Sequence, residues 1–259
     1  MDEKIKSIIR DIINCPQIGE YYESRKNNCY EIINFQEQKD RNNFQLPEPF
    51  SGNIDKAKIL VISSNPAIDT SENEKYPTKT NEWKESEILD FFYYRFNKYI
   101  KDGIKPLRYD EKYNDYVRFW SSIKARVNEI YQVKKLKADP GVNYCLTEIV
   151  HCKSQEEKGV DKAINCCSKY LDRIIQLSPA PLLLIVGKCA ENYFLKHYNL
   201  TNDEHQKNYG VELKVCGPKL IGNKERMLYF IQHPNSRELK CIGKYLENPE
   251  LKNWINENL

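Results

Sequence analysis

Two short polar stops, each placed directly after an apolar run, carry the residues of this chain that could do chemistry. Ser63-Ser64-Asn65-Pro66-Ala67 follows Ile59-Leu60-Val61-Ile62, and His233-Pro234-Asn235-Ser236 follows Leu228-Tyr229-Phe230-Ile231. In a parallel α/β sheet, ligands bind beyond the carboxyl ends of the strands. Both stops are therefore expected to face one pocket, though they lie far apart in sequence. A third polar residue, Glu148, falls inside the apolar run Tyr144–His151. A carboxylate there is costly unless it is paired with a lysine or arginine or faces a polar pocket. Both readings stay open at this point. Asn65 can also be read as a turn residue before Pro66, and His233 as a capping or buried histidine at a strand end.

The elements that must position these residues are legible as alternating patterns. Helical spacing marks Lys4–Ile13, Glu85–Ile100, Asp115–Gln132, Asp161–Leu177, Cys189 to about Tyr198, and Asn248–Glu257. Strands are expected at Ile59–Ile62, Tyr144–His151, Leu182–Val186 and Leu228–Ile231. Phe44–Asp55 reads as loop, with Pro47, Pro49, Gly52 and Asn53, and Thr70–Thr80 is polar and irregular. Strands alternating with helices predict a three-layer α/β/α sandwich around a mainly parallel four-stranded sheet. One domain over residues 1–259 is expected, with an N-terminal helical and cysteine-bearing segment over about 1–45. No internal repeat or interdomain linker stands out.

Composition narrows the class. The chain has 259 residues, of which 40% are hydrophobic and 12% aromatic, enough for a real core and against disorder. Forty basic and 37 acidic residues leave a net charge of +3, which neither demands nor repels a nucleic-acid partner. Lys124, Arg126, Lys134, Lys135 and Lys137 form a local basic stretch, read as a solvated helix face or as a contact surface. Met1-Asp2-Glu3-Lys4 leads into an amphipathic helix and not a secretory signal, and no apolar run approaches a membrane span. A cytoplasmic monomer is the expectation. Nine cysteines in such a chain read as reduced thiols or metal ligands, not as a disulfide framework.

Several segments, in order, carry a resemblance to a known family. Phe50–Leu60 is similar to the approach to a first motif, and Ser63–Ala67 to that motif itself. Leu146–Lys153 is similar to a central strand and its exit. Cys167-Ser168-Lys169-Tyr170-Leu171, Leu177–Ala180 and Leu184–Ala190 resemble the helix, turn, strand and helix start that follow. His233-Pro234-Asn235 is similar to a His-Pro-Ser second motif. Together they resemble the uracil-DNA glycosylase superfamily, in particular its iron–sulfur-containing branches, and cover most of the chain.

The resemblance implies a monofunctional DNA glycosylase with no Schiff-base lysine, acting on a base flipped out of the DNA stack. Breaking the N-glycosidic bond builds positive charge on the sugar and negative charge on the departing base, and a water must reach C1′. By the family pattern Asn65 orients that water and His233 hydrogen-bonds the base oxygen as it becomes anionic. Ser64, Pro66 and Asn235 would line the base site. Tyr76 would offer the face on which the base stacks, unless it is one of the many core or surface tyrosines. Lys188 and Arg237 would meet DNA, with Arg237 or Leu239 entering the duplex gap. The departure is Glu148, where the superfamily often has an asparagine. An amide matches uracil O4 and N3–H, whereas an ionised glutamate only accepts and suits the exocyclic amine of cytosine. The expected substrate is therefore a modified cytosine, such as glucosylated hydroxymethylcytosine removed in phage defence. Ordinary uracil repair and a non-catalytic DNA-binding member are the alternatives. A nucleotide-binding hydrolase is disfavoured by the lack of a Gly-x-x-x-x-Gly-Lys loop.

The same resemblance gives the cysteines a role. Cys152 and Cys167 are similar to the later two cluster ligands, with Cys167 preferred to Cys166 because Cys-x-x-Tyr-Leu matches the family helix. Cys15-Pro16-Gln17-Ile18 resembles an N-terminal ligand segment. Ile12 stands where its companion cysteine would fall, and Cys29 is the candidate in its place. The implied cofactor is a [4Fe–4S] cluster on Cys15, Cys29, Cys152 and Cys167, with zinc or unligated buried thiols as the alternatives. Cys145, Cys189, Cys216 and Cys241 read as core or incidental.

Overall fold

Apolar runs that bury both faces build the middle of the sheet, as such sequences must when helices cover each side. A computed structural model describes residues 1–39, 44–68, 74–79, 83–200, 214–234, 236 and 242–259. Strands β1 (Ile59–Ser63), β4 (Tyr144–Glu148), β5 (Leu182–Val186) and β7 (Lys224–Ile231) run parallel, and β6 (Lys214–Ile221) lies antiparallel at one edge. The order across the sheet is β4-β1-β5-β7-β6. The sheet thus has five strands and not four. The extra one is the edge partner of a hairpin, with a register shift between Cys216 and Lys219 and Leu220 left largely exposed. Two further strands, β2 (Ile100–Lys101) and β3 (Lys105–Pro106), form a separate two-stranded ribbon.

Alternation along the strands splits the core in two. Leu60, Ile62, Leu183 and Ile185 face one layer, made with the isoleucines of α1 (Glu3–Ile13) and the apolar stripe of α6 (Val160–Leu177). Ile59, Val61, Leu182 and Leu184 face the other, made with Val127 and Ile130 of α5 (Arg118–Gln132) and Leu251 and Ile255 of α8 (Pro249–Asn258). Helices α2 (Pro16–Ser24) and α3 (Tyr30–Lys39) join the first layer through Ile18, Tyr21, Ile32 and Ile33. Asp2 caps α1 by accepting from the Lys4 N–H at 2.7 Å. The orphan carbonyls at the end of α6 are met by Arg226, which is buried and donates to Ile175 O at 2.7 Å and Ser178 O at 2.8 Å.

Two elements end earlier than their patterns suggest, and both endings matter. Strand β4 stops at Glu148 and does not run to His151, so Glu148 sits at the carboxyl end opposite Ser63. Helix α4 (Glu85–Tyr94) gives way to a π turn over Arg95–Tyr99, which turns Arg95 inward. Helix α7 (Lys188–His197) follows β5 after Gly187. In the basic stretch, Lys124 donates to Asp102 O, Arg126 pairs with Glu129 at 2.7 Å, and Lys134 reaches Asn256 O, so these three side chains brace their own layer. No helix among the described residues is long and apolar enough to cross a membrane.

Candidate functional site

The carboxyl ends of β1, β4 and β7 open onto a cavity of about 550 Å³ whose wall includes Ser64, Asn65, Pro66, Glu148, Lys153 and His233. The two polar stops are therefore brought to one place, as the strand-end argument expects. The exits of β1 and β4 stay hydrogen-bonded past the sheet. Ile149 N donates to Ser63 O and Val150 N to Ser64 O, both at 2.9 Å, and Ser154 N reaches Pro66 O at 3.1 Å. Asn65 is half-buried, and its amide nitrogen donates to Pro66 O at 2.9 Å while Ser64 Oγ lies 3.4 Å from its Oδ1.

His233 also lines this cavity. Its ring lies 5.5 Å from that of Phe119 in a stacked arrangement, and burial lowers its pKa below the usual imidazole value, against the charge of Glu157. A neutral imidazole is thereby favoured. Gly187 beside it has a φ of +86°, a backbone conformation that side-chain-bearing residues rarely adopt, while a Cβ there would meet the His233 Cβ only at an ordinary 3.5 Å. Lys188, next in sequence, is exposed at the start of α7 and pairs with Glu191 at 3.3 Å.

Part of the cavity wall is a buried charged nest that sequence reading missed apart from Glu148. Glu48 pairs with Arg95 Nη1, accepts from Ser51 Oγ at 2.8 Å and has Lys153 Nζ at 3.7 Å. Arg95 also pairs with Glu74 at 2.7 Å, and its guanidinium lies 5.3 Å from the centre of the Trp120 ring. All of Glu48, Arg95, Lys153 and Glu148 are at most 3% exposed. Burial alone would raise the Glu48 carboxyl, but Arg95, Lys153 and Ser51 outweigh it and hold its pKa below the ordinary value. Glu148 goes the other way. Burial, then the Glu48 charge, push its pKa well above the ordinary value against Arg95 and Lys153. Its Oε2 is buried without a hydrogen-bond partner. Of the two readings open for Glu148, the paired glutamate describes Glu48 instead, and Glu148 is the one that faces the pocket.

Tyr76 is corrected by the structure. It does not line the cavity but lies 1% exposed in the core, edge-on to Phe91 and Phe92, with Lys153 Nζ 3.6 Å from its ring centre and its hydroxyl donating to Leu46 O at 3.0 Å. An aromatic flanked by two buried cations serves their burial, not a ligand face. The aromatic walls are Phe119 and Trp120, at the start of α5, and Asn114 and Asp115 add polar groups just before it. Asn235, Arg237 and Leu239 lie outside the described residues.

On the far side of the Glu148–Lys153 stretch, thiols converge. Cys29 Sγ is 2.9 Å from Cys166 Sγ, which is 3.7 Å from Cys167 Sγ. Cys15 also hydrogen-bonds Cys166, and Tyr170 reaches Cys15 Sγ at 3.9 Å. Hydrogen bonds from Cys15, Cys167 and Cys29 pull the Cys166 pKa down, while burial pushes Cys152 up to about 12. The expected four, Cys15, Cys29, Cys152 and Cys167, are all buried, and Cys166 joins them at the centre. Among the described residues no three His, Cys, Asp or Glu side chains hold the geometry of a bound ion. The thiols instead close on one another, Cys29 and Cys166 most tightly, at separations well beyond a disulfide bond. As a donor set they suit soft-metal chemistry, since four thiolates are what a four-iron cluster or a structural zinc takes.

No protein-family model matches the sequence, and no curated protein is significantly similar to it.

Proposed function

We propose that this chain is a monofunctional DNA glycosylase of the uracil-DNA glycosylase type that removes a modified cytosine and leaves an abasic site. The observation that carries the reading is the shared cavity, which Asn65, Glu148 and His233 all line. Asn65 orients water toward C1′, which suffices for a bond that breaks dissociatively. His233, kept neutral by burial, donates to the oxygen of the departing base. Glu148 reads the edge of the base.

The wall supports a base larger than a bare pyrimidine. A volume of about 550 Å³ is in the range of sites for drug-sized ligands, and Asn114, Asp115 and Glu74 offer hydrogen-bonding partners for hydroxyl groups on a substituent. Glucosylated hydroxymethylcytosine, as carried by phage DNA, fits this description. Lys188, exposed one residue beyond Gly187, is the proposed phosphate contact. Cys15, Cys29, Cys152 and either Cys166 or Cys167 would hold a [4Fe–4S] cluster, which would tie α2, α6 and the exit of β4 together.

The test is excision from oligonucleotides carrying one uracil, cytosine, hydroxymethylcytosine or glucosylated hydroxymethylcytosine. Release of the modified cytosine, lost in Asn65→Ala and His233→Ala, is expected. Efficient release of uracil alone would sink the choice of base, and activity untouched by either substitution would sink the assignment of the site.

A further inference from the structure

The charges set into the cavity wall balance without Glu148. Glu48 and Glu74 supply two negative charges, and Arg95 and Lys153 supply two positive ones. Both cations are already directed at Glu48 or Glu74 by ion pairs. Ionising Glu148, which is 2% exposed, would place a further charge beside Glu48, with Oε2 buried and without a hydrogen-bond partner. Removing a charge of that kind from water costs several kcal/mol, so the group keeps its proton instead. The groups that face it are Glu48 from the loop before Phe50, Arg95 from the turn after α4, Lys153 from the exit of β4, Tyr76, and Cys145 on its own strand.

A protonated carboxyl has one O–H to give and a carbonyl oxygen to accept with. That pair complements the edge of cytosine, where the unprotonated ring nitrogen N3 sits beside the N4 amine. The same acid can also pair with uracil, giving its O–H to O4 and accepting from N3–H, but uracil N3 already carries hydrogen and cannot take the proton. We infer that Glu148 is the acid of the reaction: it accepts a hydrogen bond from the N4 amine and passes its proton to N3 as the base departs. This rests on the base-excision reading above and narrows it to bases with an amine next to an unprotonated ring nitrogen.

The step balances. The C1′–N1 bond breaks and its electron pair goes to the base. The Glu148 proton moves to N3, so the base leaves neutral and Glu148 becomes a carboxylate. Water adds to the sugar cation at C1′, and the proton it sheds restores the acid. The leaving group that is poorest as an anion thus never has to leave as one.

The experiment is single-turnover release from oligonucleotides carrying one hydroxymethylcytosine, glucosylated hydroxymethylcytosine or uracil, across pH, for the wild type and Glu148→Gln. Glutamine keeps a donor and an acceptor but cannot yield a proton. Wild-type release of the modified cytosines is expected to fall as pH rises through the Glu148 titration, because the protonated form is the active one. Glu148→Gln is expected to be about 10²–10⁴-fold slower on those bases, the usual range for losing a general acid, and to lose that limb of the profile. An infrared carbonyl band of a protonated carboxyl, present in the wild type and absent in Glu148→Gln, reads the same proton without turnover. A variant with wild-type rate and profile overturns the proposal alone, as does a wild type without the band. A wild type that releases no base at all overturns the excision reading and the proposal with it, even if the band is present.

Discussion

The charged nest and the thiol nest are both buried, and both draw on the stretch from Glu148 to Lys153, yet they settle their charge differently. In the first, groups of opposite sign arrive from four segments and neutralise one another, leaving a single carboxyl over. In the second, every group is of one kind, and the thiols have only each other, gathered round Cys166. The first is electrically complete and leaves Glu148 for the cavity. The second, as a set of like donors, would be completed by a cation, which is why a cluster belongs to the proposed function.

Breaking the charged nest is expected to have the largest effect. Arg95→Met leaves Glu48 buried and short of its main partner, and should cost about 3–5 kcal/mol in urea unfolding. Removing both charges, with Glu48→Gln added, should recover part of that loss, since the two groups are coupled. A cost for Arg95→Met near that of a surface substitution would show that the nest is not held by this pair. Next in size is His233→Ala, expected to slow excision about 10²–10³-fold, the scale of one lost donor to a developing oxyanion, with little change in the unfolding midpoint. The thiol nest is probed by colour. Protein purified anaerobically should be brown, and Cys15→Ser, Cys29→Ser, Cys152→Ser and Cys166→Ser should lower its iron content, whereas Cys145→Ser should not. Cys166→Ser is expected to lose more than Cys167→Ser, because its sulfur contacts three others. The reverse ranking would restore Cys167 as the ligand. The smallest effect is expected from Tyr76→Phe, which loses one hydrogen bond to Leu46 O, about 0.5–1.5 kcal/mol, and leaves the excision rate unchanged.

What could be read from the sequence follows from burial. The strands β1, β5 and most of β7 announce themselves because both faces are covered, so nothing polar interrupts them. Strand β6 does not, because it has only one neighbour, carries lysines and bends at Gly217-Pro218. Asn65 and His233 were legible because each ends a strand. Glu148 was legible because a carboxylate in an apolar run needs a reason. The same reasoning applied to Arg95, set among Phe91, Phe92, Tyr93 and Phe96, would have flagged it too. Its partner Glu48 had no such signal, since a glutamate between two prolines in a loop looks like surface. Tyr76 was misplaced because a tyrosine's type does not say which side of the wall it occupies.

The hydrogen bonds that continue between the exits of β1 and β4 beyond the sheet have a thermodynamic consequence. Loops that carry ligand-contacting residues usually retain conformational freedom and surrender it on binding, at a cost in affinity. Here the backbone from Ser63 to Pro66 is already tied to Ile149, Val150 and Ser154. Most of that entropy is lost during folding, once, and not at each encounter with a ligand. The heat of binding at this wall should therefore reflect contacts made with the ligand, with little contribution from ordering the chain.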